Sequence, residues 1–205
     1  KANPMYMNIY RQIGQYWGEQ PGTSGPVYVG AFVMFLFVLG LFIVKGPMKW
    51  ALLVATILSI LLSWGKNFMG FTDFFIDYIP MYSKFRTVSS ILVVAEFTIP
   101  LLGMLALKEW VERPQLIKER MKDFLISFGL TGGLALLFAL APRVFFSSYV
   151  STMEMHALQG IPADQLVPLL ANLEEVRMSM FTADAWRSFF IILIGVALLW
   201  SYSAG

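Results

Sequence analysis

Long apolar runs alternate with shorter polar segments along this chain, and the alternation predicts an all-α membrane helix bundle. A helix needs roughly 20 predominantly apolar residues to cross a bilayer, and lipid forces its backbone to satisfy its own hydrogen bonds. Five runs approach this length, although the second is short. The predicted spans are residues 27–44, 50–64, 91–107, 124–140 and 188–202, within a single membrane domain over residues 1–205.

The longer polar segments, residues 1–26, 65–90 and 141–187, are predicted to be loops. In the second loop, aromatic residues recur at helical spacing and predict a short interfacial helix over residues 71–79. Pro80 ends this helix, because a proline disfavours the helical conformation in the residue before it. The shared face of the helix holds Phe71, Phe74, Phe75 and Tyr78.

The third loop is predicted to contain a second amphipathic helix, which lies on the membrane or on neighbouring spans. Asp164 can cap its start, since a short acidic side chain accepts hydrogen bonds from the first free N–H groups. Charged residues of this helix are assigned to its water-facing side, namely Glu174, Glu175 and Arg177. Its apolar side holds Leu166, Leu169, Leu170, Leu173, Val176 and Met180.

The distribution of lysine and arginine predicts the orientation, because short cytoplasmic loops are enriched in both residues. Of the 15 cations, seven lie in the two short connections on one side, which leaves eight spread over the longer segments on the other. The dense side holds Lys45, Lys49, Lys108, Arg113, Lys118, Arg120 and Lys122. That side is predicted to be cytoplasmic, with the three loops facing outward, in a multi-pass inner-membrane protein.

Composition narrows the function classes further. Only 14% of the residues are charged, against roughly 25% in a typical soluble domain, which favours the membrane class. The net charge of +2 is weak and dispersed, so no nucleic-acid partner is predicted. Because the chain has no cysteine, a disulfide framework, a thiolate nucleophile and a cysteine-ligated metal are excluded, and no cofactor is predicted.

Both ends of the chain are expected to be cuts in a longer protein. The chain starts at Lys1 without a signal-peptide pattern, and it ends at Gly205 directly after an apolar run. The remaining spans of that parent protein and the surrounding membrane lipid are therefore predicted partners, and the chain alone is expected to be inactive.

A basic segment directly before the third span is the most informative stretch. Lys84 and Arg86 lie on the predicted outer side, where the positive-inside rule disfavours cations. A lipid phosphate or pyrophosphate would account for them, since Arg offers a planar fork and Lys a point charge to phosphate oxygens. Ser89 and Ser90 add hydroxyls and free backbone donors at the helix start. The alternative is that both cations are ordinary anchors to bilayer headgroups.

Glu96 lies in the third span, where a carboxylate is costly unless it faces a cavity or a partner. Lys84 and Arg86 are its candidate partners, and Glu96 is either a substrate contact or half of a structural pair.

Other polar groups carry weaker signals. Asp73 and Asp77 share one helix face, which suits a metal, a general base or simply a wet surface. The only histidine, His156, lacks a second metal ligand, so no metal site is predicted. A cluster of glycines in the fourth span is interpreted as close helix packing, at Gly129, Gly132 and Gly133.

Three segments resemble the bacterial YfhO membrane-protein family: residues 16–28 (Tyr-Trp-Gly-Glu-Gln-Pro-Gly-Thr-Ser-Gly-Pro-Val-Tyr), residues 62–67 (Leu-Ser-Trp-Gly-Lys-Asn) and the element from Pro80 to Ser90. The last segment is the most specific, and the rest of the resemblance, which spans most of the chain, is largely hydropathy. The family has a dozen or more spans and is similar to the C-type glycosyltransferase fold. Members of that fold take a sugar from a polyprenyl-phosphate donor outside the cytoplasmic membrane.

The resemblance implies that the chain is an internal portion of a polyprenyl-phosphate-sugar-dependent glycosyltransferase. It implies that Lys84 and Arg86 contact the donor phosphate. No position matches the family's presumed catalytic acid, which lies near the start of the full protein, so no catalytic residue is assigned. The candidate substrate-binding residues are Lys84, Arg86, Ser89, Ser90 and Glu96. The alternatives are a lipid or solute transporter or flippase, which Glu96 and Pro100 suggest, and a non-catalytic membrane scaffold.

Overall fold

The computed structural model describes residue 17 and residues 28–64, 69–78, 88–146, 148–158 and 160–204 of the chain. Within these ranges all regular structure is helical, which confirms the predicted all-α class. Internal contacts divide the chain into two compact units. We call them the bundle unit (described residues of 24–132 and 191–205) and the aromatic unit (Trp17 and described residues of 133–190).

The helices follow the predicted pattern closely. In chain order they are α1 (Ala31–Ile43), α2 (Met48–Ser63), α3 (Met69–Tyr78), a 3₁₀ turn (Val88–Ile91), α4 (Leu92–Glu112), α5 (Leu116–Glu119), α6 (Met121–Phe128), a π segment (Gly129–Gly133), α7 (Leu134–Leu140), α8 (Pro142–Phe145), α9 (Thr152–Ala157) and α10 (Ala163–Ala204). The first three predicted spans overlap α1, α2 and α4, the fourth overlaps α6, the π segment and α7, and the fifth lies in the C-terminal part of α10. The short helix predicted over residues 71–79 overlaps α3, which covers Met69–Tyr78.

Two of the helical stretches are long and apolar enough to cross a membrane by length and composition. They are Met121–Leu140, with 20 residues, and Asp164–Ser203, with 40. The helices of the first two predicted spans are shorter, with 13 and 16 residues. At 1.5 Å per residue, α1 extends only about 20 Å, against roughly 30 Å for a hydrocarbon core.

The amphipathic helix predicted in the third loop and the predicted fifth span form one continuous helix, α10. No glycine or proline occurs between residues 169 and 194, so the sequence contains nothing there that would end a helix. Asp164 lies in the first turn of α10 and not at its cap, because the Pro162 carbonyl accepts the first hydrogen bonds, from the amides of Gln165 and Leu166.

The core of the bundle unit forms where α1 crosses α4 at close range. A Cβ added to Gly40 would lie 3.0 Å from the Leu102 carbonyl oxygen, and one added to Gly103 would lie 3.3 Å from Leu36 Cβ. Small residues let membrane helices approach this closely, which increases their van der Waals contact. The buried Phe35 and Leu39 of α1 fill the same core.

Polar side chains also join helices within the bundle unit. The hydroxyls of Thr56 on α2 and Thr98 on α4 are 2.7 Å apart, and both side chains are buried. The indole of Trp110, which is fully buried, donates to the Ser203 hydroxyl at 2.9 Å. Each of these hydrogen bonds gives buried polar groups a partner and joins two helices.

The glycines of the fourth predicted span do not mark close helix packing, so that interpretation is wrong for the described part of the chain. Gly129, Gly132 and Gly133 lie in the π segment, and a Cβ added at Gly129 or Gly133 would meet open space. At Gly132 it would meet the ring of Phe128, a residue of the adjoining helix α6. The glycines instead coincide with a local change of helical hydrogen bonding.

Candidate functional site

The structure describes only part of the basic segment predicted to contact substrate. Lys84 and Arg86 lie outside the described residues, and so does the side chain of Ser89. The 3₁₀ turn Val88–Ile91 places the backbone of Ser89 and the exposed Ser90 directly before α4. The juxtaposition of the two cations with these serines therefore stays a prediction.

Glu96 is exposed on the second turn of α4 in the bundle unit. A cavity or a charged partner was expected beside it, and the described part of the chain supplies no ion-pair partner for Glu96. Its candidate partners Lys84 and Arg86 are outside the described residues, so the proposed pairing stays a prediction.

The weaker sequence signals do not assemble into a metal site. Asp73 and Asp77 are both exposed on α3, and His156 is exposed on α9. No group of three or more His, Asp or Glu residues in the described part of the chain has the arrangement to hold a metal ion.

The most organised polar cluster in the aromatic unit lies between α9 and α10. We call it the Arg177 cluster and define it as Arg177, Glu154, Ser151 and Tyr149. The Arg177 guanidinium donates to both oxygens of Glu154, at 2.6 and 2.8 Å, and to the Tyr149 carbonyl at 2.8 Å. Only 1% of the Arg177 side chain is exposed, against 21% for Glu154.

A capping box fixes Glu154 opposite the arginine. The Ser151 hydroxyl accepts from the Glu154 amide at 3.3 Å, and the Glu154 carboxylate accepts from the Ser151 amide at 3.0 Å. This reciprocal pair satisfies two amides that the start of a helix leaves free. The capping box of α9 therefore helps to hold the Glu154 carboxylate in place independently of Arg177.

The pKa of two groups in this cluster departs from the ordinary value. Burial taken alone would raise the pKa of Glu154, but the hydrogen bonds from Arg177 and the Ser151 amide outweigh it and hold that pKa below 4.5. Burial raises the pKa of the Tyr149 phenol above 10.0, while the positive charge of Arg143 opposes the rise. Glu154 is therefore ionised and Tyr149 is neutral at pH 7.

Aromatic rings surround the buried end of the cluster. The Trp17 ring contacts the ring of Tyr149 at 4.5 Å between centroids, and it also meets Phe146 and Phe181 edge to face. The Tyr149 hydroxyl donates to the Pro142 carbonyl at 2.9 Å. These contacts cover the Tyr149 end of the cluster, whereas Glu154 at the other end stays partly exposed.

The chemistry open to this cluster is limited. Both Glu154 oxygens accept hydrogen bonds from within the cluster, so the carboxylate is poorly placed to act as a general base or a metal ligand. The arrangement joins the segment before α10 to α10 itself. These contacts indicate a structural role for the Arg177 cluster. Among the described residues, no catalytic group of side chains is organised to a similar degree.

The assignment of Arg177 to the water-facing side of its helix was wrong, because the residue is buried. Its position already indicated this, since Leu169, Leu173 and Arg177 recur every four residues and share one face. The Ser-x-x-Glu pattern of Ser151 and Glu154 was also visible as a capping box. The prediction followed the charge of Arg177, whereas the helical spacing from Leu169 and Leu173 indicated the buried position correctly. Glu175 is exposed as predicted, and Glu174 is partly buried.

Compared with known proteins, the chain matches no family model, no curated protein and no solved structure. The resemblance to the YfhO family therefore stays a prediction that rests on the residues quoted for it.

Proposed function

We propose that the chain is a five-span part of a bacterial inner-membrane protein, with residues 65–90 and 141–187 on the outer side. The observation that carries the membrane part is the large apolar surface left exposed along its helices. Soluble monomers rarely leave extended apolar patches facing water, whereas lipid favours them.

This exposure occurs on the helices of the predicted spans in both units. Phe97 on α4 is 68% exposed and Leu198 on α10 is 65% exposed. Further exposed apolar side chains on the same helices are Val93, Met104, Phe190, Ile191, Ile194 and Trp200. In the apolar part of the helical stretch Met121–Leu140, only 28% is buried inside the protein. Hydrocarbon surrounding these faces would account for the pattern without a further protein partner.

We further propose that the parent protein transfers a sugar from a polyprenyl-phosphate donor on the outer side of the membrane. Lys84 and Arg86 neutralise the phosphate that leaves with the polyprenyl chain, and a carboxylate outside this chain activates the acceptor hydroxyl. The support is the resemblance of the Pro80–Ser90 element, together with the position of Ser90 at the entrance of α4. Glu96 would lie one to two turns further into the same helix.

Substitution of Arg86 in the full-length parent protein tests the proposed transfer. Arg86→Ala should abolish sugar transfer at unchanged expression, and Arg86→Lys should restore only part of it because the planar fork is lost. Lys66→Ala is the matched control, since it removes a cation from the same predicted outer loop. Full transfer by the Arg86→Ala protein, or equal loss in the Lys66→Ala protein, would remove Arg86 from the site.

A further inference from the structure

Residues 108–123, which include the connection from α4 to α6 in the bundle unit, form a charged surface that we call the ledge. Leu116 and Ile117 of α5 are buried, and they anchor the middle of the connection. Phe124, at the start of the apolar part of α6, stacks on Trp110 with ring centroids 5.1 Å apart. Because these anchors flank it on both sides, the exposed segment between them has a defined position.

Two lysines of this ledge are left without an acidic partner among the described residues. Lys108 pairs with Glu112, Arg113 with Glu109, and Arg120 with Asp123. Lys118 and Lys122 make no such pair in this part of the structure, and both are exposed. They line a shallow, open cleft formed by the consecutive residues Lys118, Glu119, Arg120, Met121, Lys122 and Asp123.

An exposed apolar strip continues from this cleft along α6. Leu125, Ile126 and Gly129 follow Lys122 by three, four and seven residues, so all lie on the face of Lys122. Leu125 is 55% exposed and Ile126 is 48% exposed. At Gly129 the strip carries no side chain, and the space beside the backbone is open.

We infer that this surface binds one anionic phospholipid, with its headgroup phosphate in the Lys118–Asp123 cleft and an acyl chain along the strip at Leu125, Ile126 and Gly129. Unpaired lysines at the end of a membrane helix attract anionic headgroups, and hydrocarbon directly below them suits the attached acyl chain. A free phosphate would use only the first feature. A zwitterionic lipid would bring its own cation to two lysines.

Binding of phosphatidylglycerol to the purified chain in neutral detergent micelles, titrated by calorimetry, tests this inference. The variant Lys118→Gln/Lys122→Gln should bind the lipid roughly tenfold or more weakly, given the contribution of each cation near a membrane surface. The matched control Lys45→Gln/Lys108→Gln removes two exposed lysines from the same predicted membrane side and should bind as the unmodified chain does. Equal weakening in both variants would reduce the effect to general surface charge and overturn the site.

Two further arms separate a lipid from a free anion. Gly129→Leu places a side chain in the open space beside the backbone and should weaken phosphatidylglycerol binding severalfold. Circular dichroism checks that the helix content of this variant is unchanged. Inorganic phosphate at millimolar concentration should neither bind nor displace the lipid, and phosphatidylcholine should bind at least tenfold more weakly. Displacement by phosphate, or equal binding of phosphatidylcholine, would contradict an anionic-phospholipid site.

Discussion

At the scale of single residues, the buried Arg177 guanidinium makes a sharp prediction. Removing one partner of a buried ion pair leaves the other desolvated, which costs about 3 kcal/mol or more. Arg177→Ala should therefore destabilise the protein by about 3 kcal/mol, at the low end because Glu154 keeps some contact with water. Denaturant unfolding in detergent micelles, followed by tryptophan fluorescence, measures the change.

Arg187 on the same helix is the matched control. Its side chain is 72% exposed, and it pairs with Asp184 at 3.2 Å. Exposed pairs contribute about 0–1 kcal/mol, so Arg187→Ala should have a small effect. Similar losses for both alanine variants would show that burial of Arg177 does not govern stability.

The same cluster predicts how stability depends on pH. The folded pKa of Glu154 is lowered, so its contribution is present above about 4.5 and is lost as the pH falls through the folded pKa. Thermal unfolding from pH 3 to pH 7 should show the unmodified protein more stable than Glu154→Gln at neutral pH. The difference should shrink as the pH falls below 4.5. A constant difference across this range would mean that Glu154 titrates equally in both states.

These residue-level features were only partly predictable. The capping box is a local pattern, and residues three apart suffice to identify it at Ser151 and Glu154. The partnership of Glu154 with Arg177 is not local, since 23 positions separate them. The helical spacing that Arg177 shares with Leu169 and Leu173 indicated that Arg177 is buried. Nothing in the sequence identified Glu154 as the partner of the buried arginine.

At the scale of elements, the long apolar runs predicted where helices occur, since each run overlaps described helical residues. What the runs could not predict is where helices merge or change type. The junction near residue 187 is charged on its surface but contains no helix-breaking residue, so α10 continues through it. The π segment Gly129–Gly133 depends on hydrogen-bond geometry, whereas the glycines alone indicated packing.

Two glycines, one at the close crossing of α1 and α4 and one in the π segment, should respond oppositely to substitution by alanine. Gly40→Ala places a Cβ 3.0 Å from the Leu102 carbonyl, which forces the helices apart and should cost about 1–3 kcal/mol. Gly129→Ala meets open space and should be neutral or stabilising by up to about 1 kcal/mol, since alanine favours a helix. Unfolding in micelles checks both, and a loss in both variants would contradict the assigned contacts.

At the scale of the whole molecule, composition and periodicity predicted the all-α class, but chemistry was much less accessible. The candidate phosphate ligands Lys84 and Arg86 lie outside the described residues, and the expected catalytic acid matches no position in the chain. Glu96 is exposed in the bundle unit, and its predicted partners are the same two cations. Contacts between separate segments leave no local sequence pattern, so the candidate site was less predictable than the helices.

The central claim is that the apolar runs cross lipid five times, and cysteine accessibility tests it most directly. Residues 1–205 contain no cysteine, so each single replacement introduces the only thiol in this part of the protein. Lys45, Asp77, Lys118 and Met155 are exposed and sample both predicted sides. With a membrane-impermeant maleimide on intact cells, Asp77→Cys and Met155→Cys should be labelled. Lys45→Cys and Lys118→Cys should react only in inverted vesicles. Labelling of both Lys45→Cys and Asp77→Cys from outside would show that α2 does not span the membrane, and recovery of the chain in the soluble fraction would contradict the whole account.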